Sequence, residues 1–151
     1  MSRDQIVVPG LGVVSSIGFG WQAFWKGLLA GRSGISQITS FDTDDFPTHR
    51  GGEVRGFDDS SQVSDKLTRR CNRASQFAIT AAKMAVEDAG LSIPEPASRM
   101  GVAIGTTMAE AQAIEAIDQA WISKSESRIR SPLVSQYPAN VISAHVAAEL
   151  K

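Results

Sequence analysis

Lys66, Arg69, Arg70 and Arg73 stand at i, i+3, i+4 and i+7. That spacing puts four cations on one face of a helix. Like charges so close repel each other, and an acidic partner would relieve the repulsion. A solvated basic face accounts for the same spacing, and both readings stay open at this point. The cluster is small and has no interleaved aromatic residues, so it does not read as a nucleic-acid surface.

Cys71, the chain's single cysteine, lies among these cations. A nucleophilic thiol needs a base or a positive field to become thiolate, and Arg69, Arg70 and Arg73 would supply a field. Yet Cys71 sits mid-segment rather than at a strand-to-helix elbow, so it reads as a partly buried structural cysteine. His49 and His145 are too few and too scattered for a metal site. His145 falls within an apolar run, where a structural histidine is the default. The pair Gly10 and Gly12, after Ile6-Val7-Val8, invites a dinucleotide-binding reading. The full fingerprint needs a third small residue and then an acid to hold a ribose hydroxyl. Position 15 is Ser, and no acid occurs from Gly27 to Ile38. A structural tight turn fits better.

The elements that must carry these residues follow from periodicity. Ile6 to Val8 and Met100 to Gly105 read as buried strands. Gly52 to Val54 fits a brief third one. Trp21, Phe24, Trp25, Leu28 and Leu29 make one apolar helical stripe, closed by Gly31. A long helix is expected from near Ser64, with an interruption around Asn72, running to Gly90. From Ala74 to Ala89 it is apolar on most sides, and its alanines permit close backbone approach. Further helices are expected over Glu110 to Ile122 and from about Pro138. Alternating buried strands and helices indicate an α/β layered fold.

The chain has 151 residues, 42% of them hydrophobic, with a formal net charge of −1. That suits one domain-sized core and gives no sign of a nucleic-acid or membrane partner. Its apolar runs fall well short of a bilayer span. With no signal peptide and no possible intrachain disulfide, a cytoplasmic setting is expected. The segment Asn140 to Lys151 ends without a cap, a glycine or a tail, which suggests a piece of a longer protein.

Several stretches, in order, resemble the elongating β-ketoacyl-acyl carrier protein synthases. They are the opening Ile6 to Gly18, the helix exit Trp25 to Ile35, and Phe41-Asp42. Arg69 to Ala78, Ala85 to Leu91, Gly101 to Met108, Ser131-Pro132 and Asn140 to Val146 complete the series. The resemblance covers essentially the whole chain. It implies the N-terminal half of a thiolase-like fold, layered α/β/α/β/α. Residues 1–151 would be the N-terminal portion of the synthase N-terminal domain, stopping before the nucleophilic cysteine. The family's two catalytic histidines and its structural lysine would lie in the second half. No catalytic residue is therefore expected in this chain, and the piece alone is expected to be inactive.

The implied reaction is a decarboxylative Claisen condensation of an acyl thioester with malonyl-acyl carrier protein, in fatty-acid or polyketide synthesis. No cofactor and no metal are implied. Partners would be acyl carrier protein, acyl and malonyl thioesters, and a second ketosynthase chain in a homodimer or heterodimer. Lys66, Arg69, Arg70 and Arg128 match positions that contact the carrier in related enzymes. Ile114 matches a residue lining the acyl pocket, although plain core packing would explain it too. The alternatives are a non-catalytic partner resembling a chain-length factor, or a polyketide ketosynthase subunit. Three departures from the family pattern stand out: Pro9 for threonine, Asn72 for aspartate and Ala109 for glycine. Half of such a fold would expose a large apolar face, so the chain is expected to self-associate.

Overall fold

The computed structural model describes residues 5–58, 63–64, 70–93, 99–125 and 129–151. It divides into two units. One comprises Met1–Phe57 with Ala81–Leu91, the other Asp58–Thr80 with Ser92–Lys151.

In the first unit, α1 spans Trp21–Leu29. Its apolar stripe exists, but Trp25, Leu28 and Leu29 are exposed and only Gly27 is buried. Two short strands, β1 (Ser36–Gln37) and β2 (Arg50–Gly51), pair antiparallel with Ser36 opposite Gly51. The strand expected at Gly52 to Val54 thus falls slightly earlier. Glu53 accepts hydrogen bonds from the Thr39 and Ser40 amides at 2.9 and 2.8 Å, fixing the loop after β1.

The long helix α2 runs Arg73–Asp88. Its first half belongs to the second unit and the remainder to the first. Ala81, Ala85 and Ala89 recur every fourth residue on the face that meets Gly10 and Gly12. A methyl added at Gly12 would lie 1.8 Å from the Ala81 carbonyl oxygen, and one at Gly10 2.2 Å from that of Ala85. Neither glycine has a left-handed backbone. Their requirement is space for the helix, not the tight turn that their spacing suggests. Asp88 completes the contact, accepting the Trp21 indole N–H at 2.7 Å and the Leu11 amide at 2.9 Å. Those two donors hold its carboxyl below the usual aspartate value, Trp21 contributing most.

The helix does not extend back to Ser64 in the described residues. Residues 70–72 form a turn, and Ser64 instead donates its amide and hydroxyl to Glu149 at 3.0 and 2.7 Å. In the second unit, α3 spans Ala111–Ile122, α4 Ser131–Val134 and α5 Val141–Glu149. Ile79, Ala113, Ala120, Ile142 and Val146 are buried there, as are the polar side chains of Ser75, Glu110 and Gln136.

The expected strands at Ile6 to Val8 and Met100 to Gly105 join no ladder among the described residues. A strand exists only through its neighbour's hydrogen bonds. Both apolar runs therefore stand without that pairing, and Ile6 is 101% exposed.

Candidate functional site: the start of the long helix

Arg70, Cys71 and His145 border one hollow at the start of α2, where Arg73 also stands. Asn72 precedes the helix and accepts the Gln76 amide at 3.1 Å. Arg70 is exposed on the turn before it, and its backbone carbonyl accepts the Gln136 side-chain amide. That capture keeps the Arg70 carbonyl out of the helical ladder. Arg73, the first helical residue, lays its guanidinium over the Phe77 ring, 4.8 Å from the centroid. Arg70 lies on the turn and Arg73 in the helix, so these two of the four cations do not stand on one continuous helix. Lys66 and Arg69 lie outside the described residues, as does Arg128.

Beneath this surface lies a polar cluster. The Ser75 amide belongs to the first turn of α2, where N–H groups lack intrahelical partners. It donates to Glu110 Oε1 at 3.1 Å. Glu110 immediately precedes α3 but does not cap that helix with its own side chain. A buried carboxylate is costly without donors, and the positive end of a neighbouring helix is a favourable place for it. The Ser75 hydroxyl and His145 Nδ1 are 2.8 Å apart, which brings α5 into the same cluster. Burial pushes the His145 imidazole below its ordinary value of 6.5, while the Glu110 charge pulls it partly back.

The cluster is not a hydrolytic centre. Ser75 has no exposed surface, so its hydroxyl cannot reach an external carbonyl. Cys71 is 6% exposed and stands at a bend, as a structural thiol does. Together with Arg70, Asn72 and His145 it borders a hollow of about 870 Å³. His49 is likewise structural, its Nδ1 lying 2.9 Å from the Thr43 hydroxyl. Among the described residues no group of three metal-ligating side chains occurs, and no helix is long and apolar enough to cross a membrane.

Ile114 is half-buried on α3. A second hollow, of about 560 Å³, opens beside that helix and is lined by Ala116, Ala120, Ile122 and Leu133 among others, but not by Ile114. The loop leading to α3 turns at Ala109, whose φ of 48° is left-handed. Glycine adopts that backbone freely, in keeping with the glycine the resemblance places at this position. The periodic reading passed over Ser75 and Glu110. One signal was available for the second: it is the only charged side chain between Met100 and Ile114.

Residues 3–151 match the family model of the β-ketoacyl synthase N-terminal domain. Over 148 residues the chain is 38% identical to the 3-oxoacyl-[acyl-carrier-protein] synthase 2 of Vibrio cholerae, covering 97% of this chain and 36% of that protein. The solved ishigamide ketosynthase/chain length factor superposes with a TM-score of 0.81 at 35% identity, covering 95% of this chain and 36% of that one. The AntDE:AntF complex, a type II polyketide ketosynthase with its acyl carrier protein, gives a TM-score of 0.70 at 27% identity, covering 95% and 35%. The chain thus spans about a third of the length of the relatives it matches.

Proposed function

This chain belongs to the β-ketoacyl synthase family through its N-terminal domain, and from that premise we propose that it is part of an acyl-carrier-dependent condensing enzyme. In that reaction a cysteine thiolate attacks an acyl-carrier thioester, forming acyl-enzyme and releasing the carrier thiol. Malonyl-carrier then loses carbon dioxide, and the resulting carbanion attacks the acyl-enzyme carbonyl. The cysteine leaves as thiolate, and a β-ketoacyl thioester remains on the carrier. Cysteine suits the task because thiolate is strongly nucleophilic even when little of it is present. The observation that carries this reading is the family match along nearly the whole chain.

In this reading the nucleophile and its histidines are supplied by residues outside 1–151, and these residues alone do not condense. What they supply is recognition. Lys66, Arg69, Arg70 and Arg128 form the docking surface for the acidic carrier, where opposite charge speeds encounter. The exposure of Arg70 supports its place there. Ile114 lines the acyl pocket. Ile6 to Val8 and Met100 to Gly105 are strands of the layered thiolase-like sheet, completed by partners outside this chain. The assembly is a dimer of ketosynthase chains in the cytoplasm.

A second reading has its own support. The structural neighbour with a TM-score of 0.81 is a ketosynthase/chain length factor. Under that reading the protein is the non-catalytic member of such a pair. Condensation by the purified whole protein without another ketosynthase would exclude it.

Replacing Arg70 by Glu in the whole protein tests the docking surface, since the side chain changes while the carbonyl that Gln136 holds does not. The expected outcome is a carrier affinity lower by about tenfold, or about 1.4 kcal/mol. The difference should shrink as salt is raised. Equal affinities at low salt would remove Arg70 from the interface.

A further inference from the structure

We propose that Glu110 is a positioning residue that sets the docking end of α2 against the acyl-pocket helix α3, and so governs which acyl lengths the enzyme accepts. The inference rests on the condensing reading above, which places Arg70 at the carrier surface and Ile114 at the pocket.

Glu110 holds both helices at once. Its side chain takes the Ser75 amide at 3.1 Å, two residues into α2. Its backbone carbonyl takes the Ala113 and Ile114 amides at 2.9 and 3.4 Å, in the first turn of α3. One residue therefore contacts the helix that follows Arg70 and the backbone of Ile114 itself. The side chain is 1% exposed, so solvent offers it no alternative partner. The approach to it is constrained as well. Ala109 is left-handed, and its amide donates to the Thr106 hydroxyl at 3.1 Å, which directs the chain into Glu110. A third element is tied in through the Ser75 hydroxyl and His145 on α5.

Such an arrangement transmits position rather than chemistry. Moving the carboxylate shifts the start of α3 relative to the start of α2, and Ile114 moves with it. In an apolar pocket, room for one methylene changes discrimination by about tenfold or more. Glutamine at 110 keeps an acceptor for the Ser75 amide but loses the charge that favours the helix terminus. Aspartate keeps the charge and shortens the reach.

The test is to assay the whole protein on a series of saturated acyl-carrier substrates, with malonyl-carrier as extender. The unsubstituted enzyme is compared with Glu110→Gln and Glu110→Asp, well below the unfolding temperature of each. The expected result is a change of about tenfold in the long-to-short ratio of kcat/KM. Glu110→Asp serves alone should Glu110→Gln not fold. A purely structural carboxylate would lower the unfolding temperature and leave the ratio fixed. An unchanged ratio in the folded variants would overturn the role of Glu110 while leaving the condensing reading intact. No turnover by the unsubstituted protein would overturn the condensing reading and this inference with it.

Discussion

Burial disfavours the protonated form of His145, and that has a sign in pH. Burial lowers its folded-state pKa beneath 6.5, the unfolded reference. The unfolded chain therefore binds a proton before the folded one does. The associated stability is fully present above the unfolded value and is lost as pH falls through the folded one. The expected outcome is a denaturation midpoint that drops as the pH is lowered from neutral through and below 6.5. His145→Gln should drop less over the same interval. Parallel losses in the two proteins would remove His145 as the cause. The apolar run around His145 points to a structural histidine, and the place of Cys71 away from any strand-to-helix elbow fits its 6% exposure. The partners were not legible. Ser75 and Glu110 meet across 35 residues through a side chain and a backbone amide, and such a bond leaves no periodic trace in the sequence.

At the scale of elements, three helices end in one way. After α1, Gly31 and Arg32 return hydrogen bonds to Leu28 and Gly27, and after α2, Gly90 and Leu91 return them to Glu87 and Val86. After α3, Lys124 and Ser125 do the same to Trp121 and Ala120. Each first residue is left-handed, with φ of 64°, 61° and 52°. This is the paired 6→1 and 5→2 closure that glycine favours. The glycines made the first two ends legible, whereas Lys124 hides the third. A side chain in that conformation costs about 1–2 kcal/mol, and glycine returns about 0.5–1 kcal/mol of that in unfolded-state entropy. Lys124→Gly should therefore stabilise the chain by about 0.5–1 kcal/mol. A urea midpoint that rises at constant slope would confirm it, and one that falls would show that the Lys124 side chain contributes more than its backbone costs. Helices were readable because each bonds to itself. Ile6 to Val8 and Met100 to Gly105 were readable as apolar runs only, since a strand's hydrogen bonds belong to another segment. The short helix α4 went unforeseen, four residues being too few for a period.

At the scale of the whole molecule, apolar surface is the dominant feature. Ile6, Val8, Leu29, Trp121, Ile122 and Tyr137 are all exposed. Large apolar side chains left in water favour association where they gather. A net charge of −1 offers little repulsion to keep copies apart. Residues 1–151, produced alone, are expected to self-associate and to bind apolar dyes. A monodisperse monomer by light scattering, binding no dye, would contradict the exposure described. The buried Cys71 lies next to Arg70 and beside the first turn of α2, and it is the chain's only thiol. It thus acts as a built-in clock for that corner. A disulfide reagent reacts with it only while the corner is open. When closing outpaces reaction, the ratio of its labelling rate to that of a free thiol is the opening equilibrium constant. Added carrier protein that binds the closed corner would slow the clock in proportion to its occupancy.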